Sequence, residues 1–140
     1  MNTVLFLDEI HRFSKAQQDA LLPGVENGWI VLIAATTENP SFSVISPLLS
    51  RSLLLTLTPL ADSDLVAVLQ RAISAPQGLA SAVSADDDVL AQIALVSGGD
   101  ARRALTILEA AATFAIGNST AASAKSPIPV LDEHVSGAMD

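Results

Sequence analysis

Residues 4–13 read VLFLDEIHRF: four apolar residues run directly into Asp8 and Glu9, with His11 and Arg12 just beyond. A buried strand that delivers two adjacent carboxylates to its end is suited to phosphate chemistry. One carboxylate can hold Mg²⁺, which takes one or two carboxylates beside phosphate oxygens and water. The other can act as a positioned base toward water, a contribution of about 10²- to 10⁴-fold in rate. The plain alternative is a strand that simply ends in two solvated acids. A metal cluster with His11 has no ligand spacing to support it.

Three further places carry chemistry-bearing side chains. Thr36, Thr37 and Asn39 follow the apolar run WIVLIAA. Ligands of open parallel sheets bind at the carboxyl ends of the strands, where such a side chain can bond a γ-phosphate or orient a water. An ordinary Asn-Pro turn explains the same residues. Arg51 sits in Ser50-Arg51-Ser52 between a short helix and an apolar run; a cation at a helix C-terminus needs no other reason than the dipole. Arg102 and Arg103 follow Gly98-Gly99-Asp100 at a helix start, where cations oppose the dipole. Local conflicts of this kind concentrate at functional sites, although pairing with Asp100 or Glu109 would account for one of the two arginines.

The elements that must position these groups can be read from the apolar pattern. TVLFL (3–7) and WIVLIAA (29–35) are near-continuous apolar runs, the pattern of strands buried on both faces. Between them Ser14 and Gln17 have capping-box spacing, and the helix they open places Ala16, Ala20, Leu21 and Leu22 inward. Pro23 and Gly24 weaken that helix, and Asn27-Gly28 ends it in a turn. Ser46-Pro47 reads as an N-cap followed by Pro at N1, opening a helix to about Ser50. LLLTLT (53–58) is a third strand that Pro59 stops. The order strand–helix–strand–helix–strand implies a parallel α/β layer.

After Pro59 the pattern becomes helical. Asp62 is placed to cap a helix carrying Leu65, Val66, Val68, Leu69, Ala72 and Ile73; Ser84 with Asp87 opens another; and Asp100 to Ile116 is a long Ala-rich helix. Residues 118–129 form a Ser/Ala/Pro linker, and 131–139 a last short helix. The expected division is 1–59, α/β, and 60–140, all-α.

Composition limits the function classes. Seven Lys and Arg stand against fifteen Asp and Glu, for a net charge of −8. Nucleic-acid affinity comes largely from cations that neutralise phosphates, so most of this segment is not a gripping surface for DNA. With no Cys, disulfides, thiolate metal sites and Cys nucleophiles are excluded. Asp8 and Glu9 interrupt the first apolar run, which removes a signal-peptide reading, and WIVLIAA is too short to span a bilayer. A cytoplasmic location is the expectation, nucleoid-associated if the source is bacterial.

The order of the segments is more informative than any one of them. LFLDEIHRFSKAQQDALLPGVENG, AATTENPSF, LLSRS and GGDARRAL together resemble the second half of an AAA+ ATPase. The words DEIHRF and ATTENPSF are most similar to the replication-associated recombination protein A family, relatives of the Werner-helicase-interacting protein. Clamp-loader subunits and the Holliday-junction branch-migration motor share the layout but differ in these words.

The resemblance implies the C-terminal half of an AAA+ P-loop NTPase core, with a parallel sheet, followed by an all-α helical lid. It implies ATP and Mg²⁺ as ligands. Asp8 matches the metal-binding acid and Glu9 the water-activating acid of the Walker B pair. Thr37 matches sensor 1, with Thr36 as its rival, and Arg51 matches an arginine finger acting in trans on the neighbouring subunit of a ring. Arg102 matches sensor 2, contacting the γ-phosphate from the lid. Arg103 is left as structural, and Phe13 and Phe42 as packing residues. DNA and replication proteins are implied as partners through regions outside this segment, with no membrane. A non-catalytic interaction module is the reading of a different class.

The resemblance also exposes a departure. G-x-x-x-x-G-K-[ST] is not among the 140 residues, since none of the seven glycines is followed by Lys. The family pattern places that loop before residue 1 and the oligomerisation domain after residue 140, so the isolated chain is expected to be inactive. In the AAA+ strand order the phosphate-loop strand lies between residues 29–35 and 53–58. Both would then lack their common neighbour, and unpaired apolar edges favour self-association or rearrangement of LLLTLT.

Overall fold

The computed structural model describes residues 3–119 and 127–139. The chain forms two compact units, residues 1–56 and 57–140.

In the first unit, β1 (Thr3–Leu7) and β2 (Ile30–Ala34) pair in parallel, Thr3 opposite Ile30 through Leu7 opposite Ala34. The crossover begins with a 3₁₀ turn over Ile10–Arg12 and continues through α1 (Lys15–Asp19) and α2 (Leu22–Glu26). Ser14 caps α1 reciprocally with Gln17: the Ser14 hydroxyl accepts from Gln17 N–H at 3.3 Å and Gln17 Oε1 accepts from Ser14 N–H at 2.9 Å. The turn at Asn27-Gly28 forms with Gly28 at φ +67°. After β2 come two single-turn helices, α3 (Pro40–Ser43) and α4 (Ser46–Leu49). Ile45, not Ser46, occupies the N-cap of α4, and Pro47 is its second residue.

Several sequence expectations are corrected here. The strands are not buried on both faces: Val4, Phe6, Val31 and Ile33 are exposed, and Leu5 and Leu32 are half-buried. A two-stranded sheet flanked by short helices has enough cover for one face only. LLLTLT makes no strand; residues 53–58 are exposed, Leu53 by 85% and Leu57 by 91%. A strand exists through its ladder bonds, and among the described residues β1 and β2 pair only with each other. Ala16 and Ala20 face solvent, and the inner stripe is Gln18, Leu21, Leu22 and Val25, because the helix breaks after Asp19 and resumes at Leu22. Phe42 is 86% exposed and packs nothing away, whereas Phe13 is half-buried.

The second unit holds the larger core. α5 (Asp62–Ser74), α6 (Asp87–Ser97), α7 (Ala101–Asn118) and α8 (Asp132–Met139) pack Leu65, Leu69, Leu90, Ile93, Leu108 and Val135 at 0–1% exposure. Small residues (Ala94, Ala104, Ala111, Ala112) let the helices approach closely. This unit is mostly rather than wholly helical. β3 (Val83–Ala85) and β4 (Ile128–Val130) form a short parallel pair. Ser84 therefore lies in a strand, and Asp86 takes the N-cap of α6. Ala61, not Asp62, precedes α5, with its N–H bonded to Asp64 Oδ2 at 3.3 Å. Of the expected 118–129 linker, residues 120–126 lie outside the described residues, and 128–129 belong to β4.

Candidate functional site

The C-terminal edge of the β1–β2 pair is closed by two backbone bonds that share one residue. Ala35 N–H donates to the Leu7 carbonyl at 2.8 Å, and Ile10 N–H donates to the Ala35 carbonyl at 3.0 Å. Ile10 is 1% exposed and anchors the turn. Asp8 and Glu9 lie between these fixed points, as a two-residue excursion off the sheet edge. To make it, Glu9 adopts φ 51°, ψ 50°, the left-handed region. A non-glycine residue there costs about 1–2 kcal/mol, and such strain gathers at functional sites. Asp8 Oδ1 accepts the Glu9 N–H at 3.0 Å, steadying the bend. The Glu9 carboxylate pairs with Arg12 Nε at 2.7 Å, with the Arg12 side chain 73% exposed. A surface pair of this kind is worth about 0–1 kcal/mol, so it leaves Glu9 able to engage a ligand.

At the end of β2, Thr36 and Thr37 differ sharply. Thr36 is half-buried; its Oγ1 lies 2.9 Å from His11 Nδ1 and accepts the Glu38 N–H at 3.1 Å. Thr37 is exposed, and its hydroxyl has no hydrogen-bond partner among the described residues. Asn39 caps α3, its Oδ1 accepting from Ser41 N–H at 3.0 Å. That is the turn role, and it occupies the side-chain carbonyl.

Arg51 is engaged locally. Its Nη2 lies 2.8 Å from Glu26 Oε1 and its Nη1 donates to the Pro47 carbonyl at 2.9 Å, with both charged side chains about half exposed. The bond to Pro47 satisfies a last-turn carbonyl of α4, as a cation at a helix C-terminus does. Arg102 belongs to the second unit. Asp100 caps α7, with Oδ1 accepting from Arg102 N–H at 2.8 Å and Arg103 N–H at 3.1 Å. The carboxylate at the N-cap offsets two cations in the first turn. Neither guanidinium makes an ion pair among the described residues, to Asp100, Glu109 or any other group.

Asp8, Glu9, Thr36 and Thr37 thus share one sheet edge, joined through His11 and Ala35. Arg51 is held by Glu26 within the same unit, and Arg102 stands in the other. Two residues had no role from sequence. His11 ties the acidic turn to Thr36, and Gln18, 1% exposed, bonds four backbone groups. Gln18 was findable: it is four residues after the Ser14 cap, on the face that continues to Leu21, Leu22 and Val25. Among the described residues, no group of three or more His, Cys, Asp or Glu can hold a metal. Asp8 by itself fits a Mg²⁺ whose other ligands are phosphate and water.

No family model matches the chain. Curated proteins do. An uncharacterized AAA domain-containing protein of Mycobacterium tuberculosis is 59% identical over 113 residues, 81% of this chain and 25% of that protein. Replication-associated recombination protein A of Escherichia coli K12 is 46% identical over 115 residues, 81% of this chain and 26% of that protein. The WRNIP1 ATPase of Dictyostelium discoideum is 42% identical over 78% of this chain and 13% of its own length. The chain therefore spans about a quarter or less of these relatives. Among solved structures, the Holliday junction branch-migration motor RuvB of Thermotoga maritima superposes with a TM-score of 0.78 at 27% identity, over 97% of this chain and 43% of that one. The fold is α/β, the C-terminal half of an AAA+ core followed by a mostly helical lid. By sequence, the chain belongs to the replication-associated recombination protein A family of AAA+ proteins.

Proposed function

We propose that this chain is the segment from Walker B to lid of a DNA replication and recombination ATPase. The observation that carries this reading is the strained Asp8-Glu9 excursion, pinned beside Thr36 and Thr37 at the C-terminal edge of a parallel pair. Residues 1–59 form the partial core and 60–140 the lid. Asp8 binds Mg²⁺, which when bound neutralises phosphate charge. Glu9 orients the attacking water and takes its proton. Thr37 bonds the γ-phosphate or the water, and its free hydroxyl favours it over Thr36. Arg51 leaves Glu26 to reach the ATP of the neighbouring subunit in a ring, a contribution of about 10³- to 10⁵-fold. Arg102 contacts the γ-phosphate from the lid. The protein works in the cytoplasm, at the nucleoid in a bacterium. DNA stimulates it through regions outside this acidic segment.

The first test is Mg·ATP binding and hydrolysis by this chain beside Glu9→Gln. No turnover is expected from either, because no phosphate loop is among the 140 residues. Turnover that Glu9→Gln abolishes would show that other residues hold the phosphates, and the partial-site reading would be wrong. In the full-length protein carrying the segment, Glu9→Gln should retain ATP binding and lose at least about 100-fold in kcat. Unchanged turnover there would remove Glu9 from the chemistry.

A further inference from the structure

Gln18 is a buried polar side chain with partners on two sides. Its Nε2 donates to the Phe13 carbonyl at 3.0 Å and the Ser43 carbonyl at 3.0 Å, with the Ile10 carbonyl more distant at 3.4 Å. Its Oε1 accepts from Ile45 N–H at 3.0 Å. An amide has two donor hydrogens and one acceptor oxygen, so every hydrogen-bonding group of the side chain is used. Ile10 and Phe13 bracket the 3₁₀ turn that follows Asp8-Glu9. Ser43 ends α3, and Ile45 caps the helix that leads to Arg51. One side chain from α1 therefore bridges the acidic turn and the arginine-bearing segment.

α3 also packs directly on the 3₁₀ turn, but Gln18 adds hydrogen bonds to both sides from within the buried interior. Among the described residues, the fully buried side chains of the first unit are Ile10, Gln18 and Leu48. Ile10 belongs to the acidic turn and Leu48 to α4, with Gln18 bonded to the backbone on both sides. A buried hydrogen-bonded amide specifies relative position more sharply than apolar contact, because a small displacement leaves buried N–H and C=O groups unpaired at about 1–3 kcal/mol each.

Resting on the ATPase reading above, we infer that Gln18 is a positioning residue that couples a subunit's own Asp8-Glu9 turn to the Arg51 it presents to the next subunit. A shift of the turn on nucleotide binding is transmitted through the Gln18 amide to Ser43 and Ile45, and so to α4 and Arg51. Adjacent ATP sites in a ring are thereby linked within each chain, and hydrolysis is cooperative.

The test uses the full-length, oligomeric protein carrying this segment. Hydrogen exchange with and without a non-hydrolysable ATP analogue should change protection at 10–13 and 43–51 together. Gln18→Met removes all four bonds at similar volume, and Gln18→Glu keeps the acceptor for Ile45 while losing the donors. Either should lower kcat about tenfold or more, leave ATP affinity within about twofold, and bring the Hill coefficient toward one. General loss of folded protein would instead lower the active fraction without changing the Hill coefficient. Glu9→Gln, run in parallel, separates the two ideas. If Glu9→Gln abolishes turnover but the Gln18 variants keep kcat and cooperativity, the coupling is overturned alone. If Glu9→Gln is also active, the ATPase reading itself fails. Where neither Gln18 variant folds, the exchange experiment on the native protein decides: a change confined to 10–13 rejects the coupling.

Discussion

His11 Nδ1 stands 2.9 Å from Thr36 Oγ1, joining the turn after β1 to the residue after β2. With the Glu38 N–H also bonded to it, the Thr36 hydroxyl is committed to the protein. Thr36→Val should lower stability by about 1 kcal/mol and reduce ATP turnover less than Thr37→Val does. Denaturant unfolding and steady-state kinetics of both variants decide the matter. Full activity in Thr37→Val with loss in Thr36→Val would reverse the assignment.

The left-handed backbone of Glu9 makes a second prediction, on stability alone. Glycine accepts this conformation freely, while β-branched residues are strongly opposed to it. Glu9→Gly should therefore be more stable than Glu9→Val by about 1–2 kcal/mol, although neither retains the carboxylate. Equal thermal midpoints for the two would show that the turn relaxes out of the left-handed region.

Arg51 can be tested in trans. Glu26→Gln should cost less than about 1 kcal/mol of stability and leave turnover near native. Arg51→Ala should reduce turnover about 10³-fold or more in the ring. Mixing Arg51→Ala subunits with Glu9→Gln subunits should restore part of the activity, at interfaces that combine an intact Glu9 with an intact Arg51. No recovery on mixing would place Arg51 in its own subunit's site or outside catalysis.

Gly98 and Gly99 should respond differently to alanine. Both have positive φ, +58° and +83°. A Cβ on Gly98 would meet nothing within 4 Å, whereas on Gly99 it would lie 2.5 Å from Pro59 Cβ and 3.0 Å from the Leu60 carbonyl oxygen. The Gly99 carbonyl also accepts the Leu60 N–H at 3.2 Å. Gly98→Ala should cost about 1 kcal/mol, and Gly99→Ala clearly more, because it must also displace the segment that enters the lid. Urea denaturation followed by circular dichroism would rank them, and equal losses would count against the packing argument.

The exposed run of Leu53, Leu54, Leu55 and Leu57, with Val4 and Phe6 on the open sheet face, should make the isolated chain self-associate at micromolar concentration. Light scattering should show species larger than a monomer, and Leu53→Lys with Leu55→Lys should reduce them. A monodisperse monomer with native-like circular dichroism would oppose this.

The sequence by itself determined the local elements and the family. Apolar runs ending in Asp8-Glu9 and in Thr36-Thr37 announced two parallel strands. The Ser14–Gln17 box was also legible, because its signals lie within a few residues of the structure they specify; Asp100, read as the start of its helix, is instead the N-cap of α7. Tertiary structure decided what depends on distant neighbours. LLLTLT has strand composition, yet it stays unpaired for want of an adjacent strand, and β1 and β2, which pair with each other, keep one face open. The left-handed turn at Glu9 follows from Leu7 and Ile10 both bonding Ala35, twenty-five and more residues away. That the Thr36 hydroxyl is engaged and the Thr37 hydroxyl is not depends on His11 and the Glu38 N–H. The helix face of Gln18 was legible, since it continues to Leu21, Leu22 and Val25; that its amide is a bridge was not, because its partners at 43 and 45 come from beyond β2, a proximity that no spacing along α1 encodes.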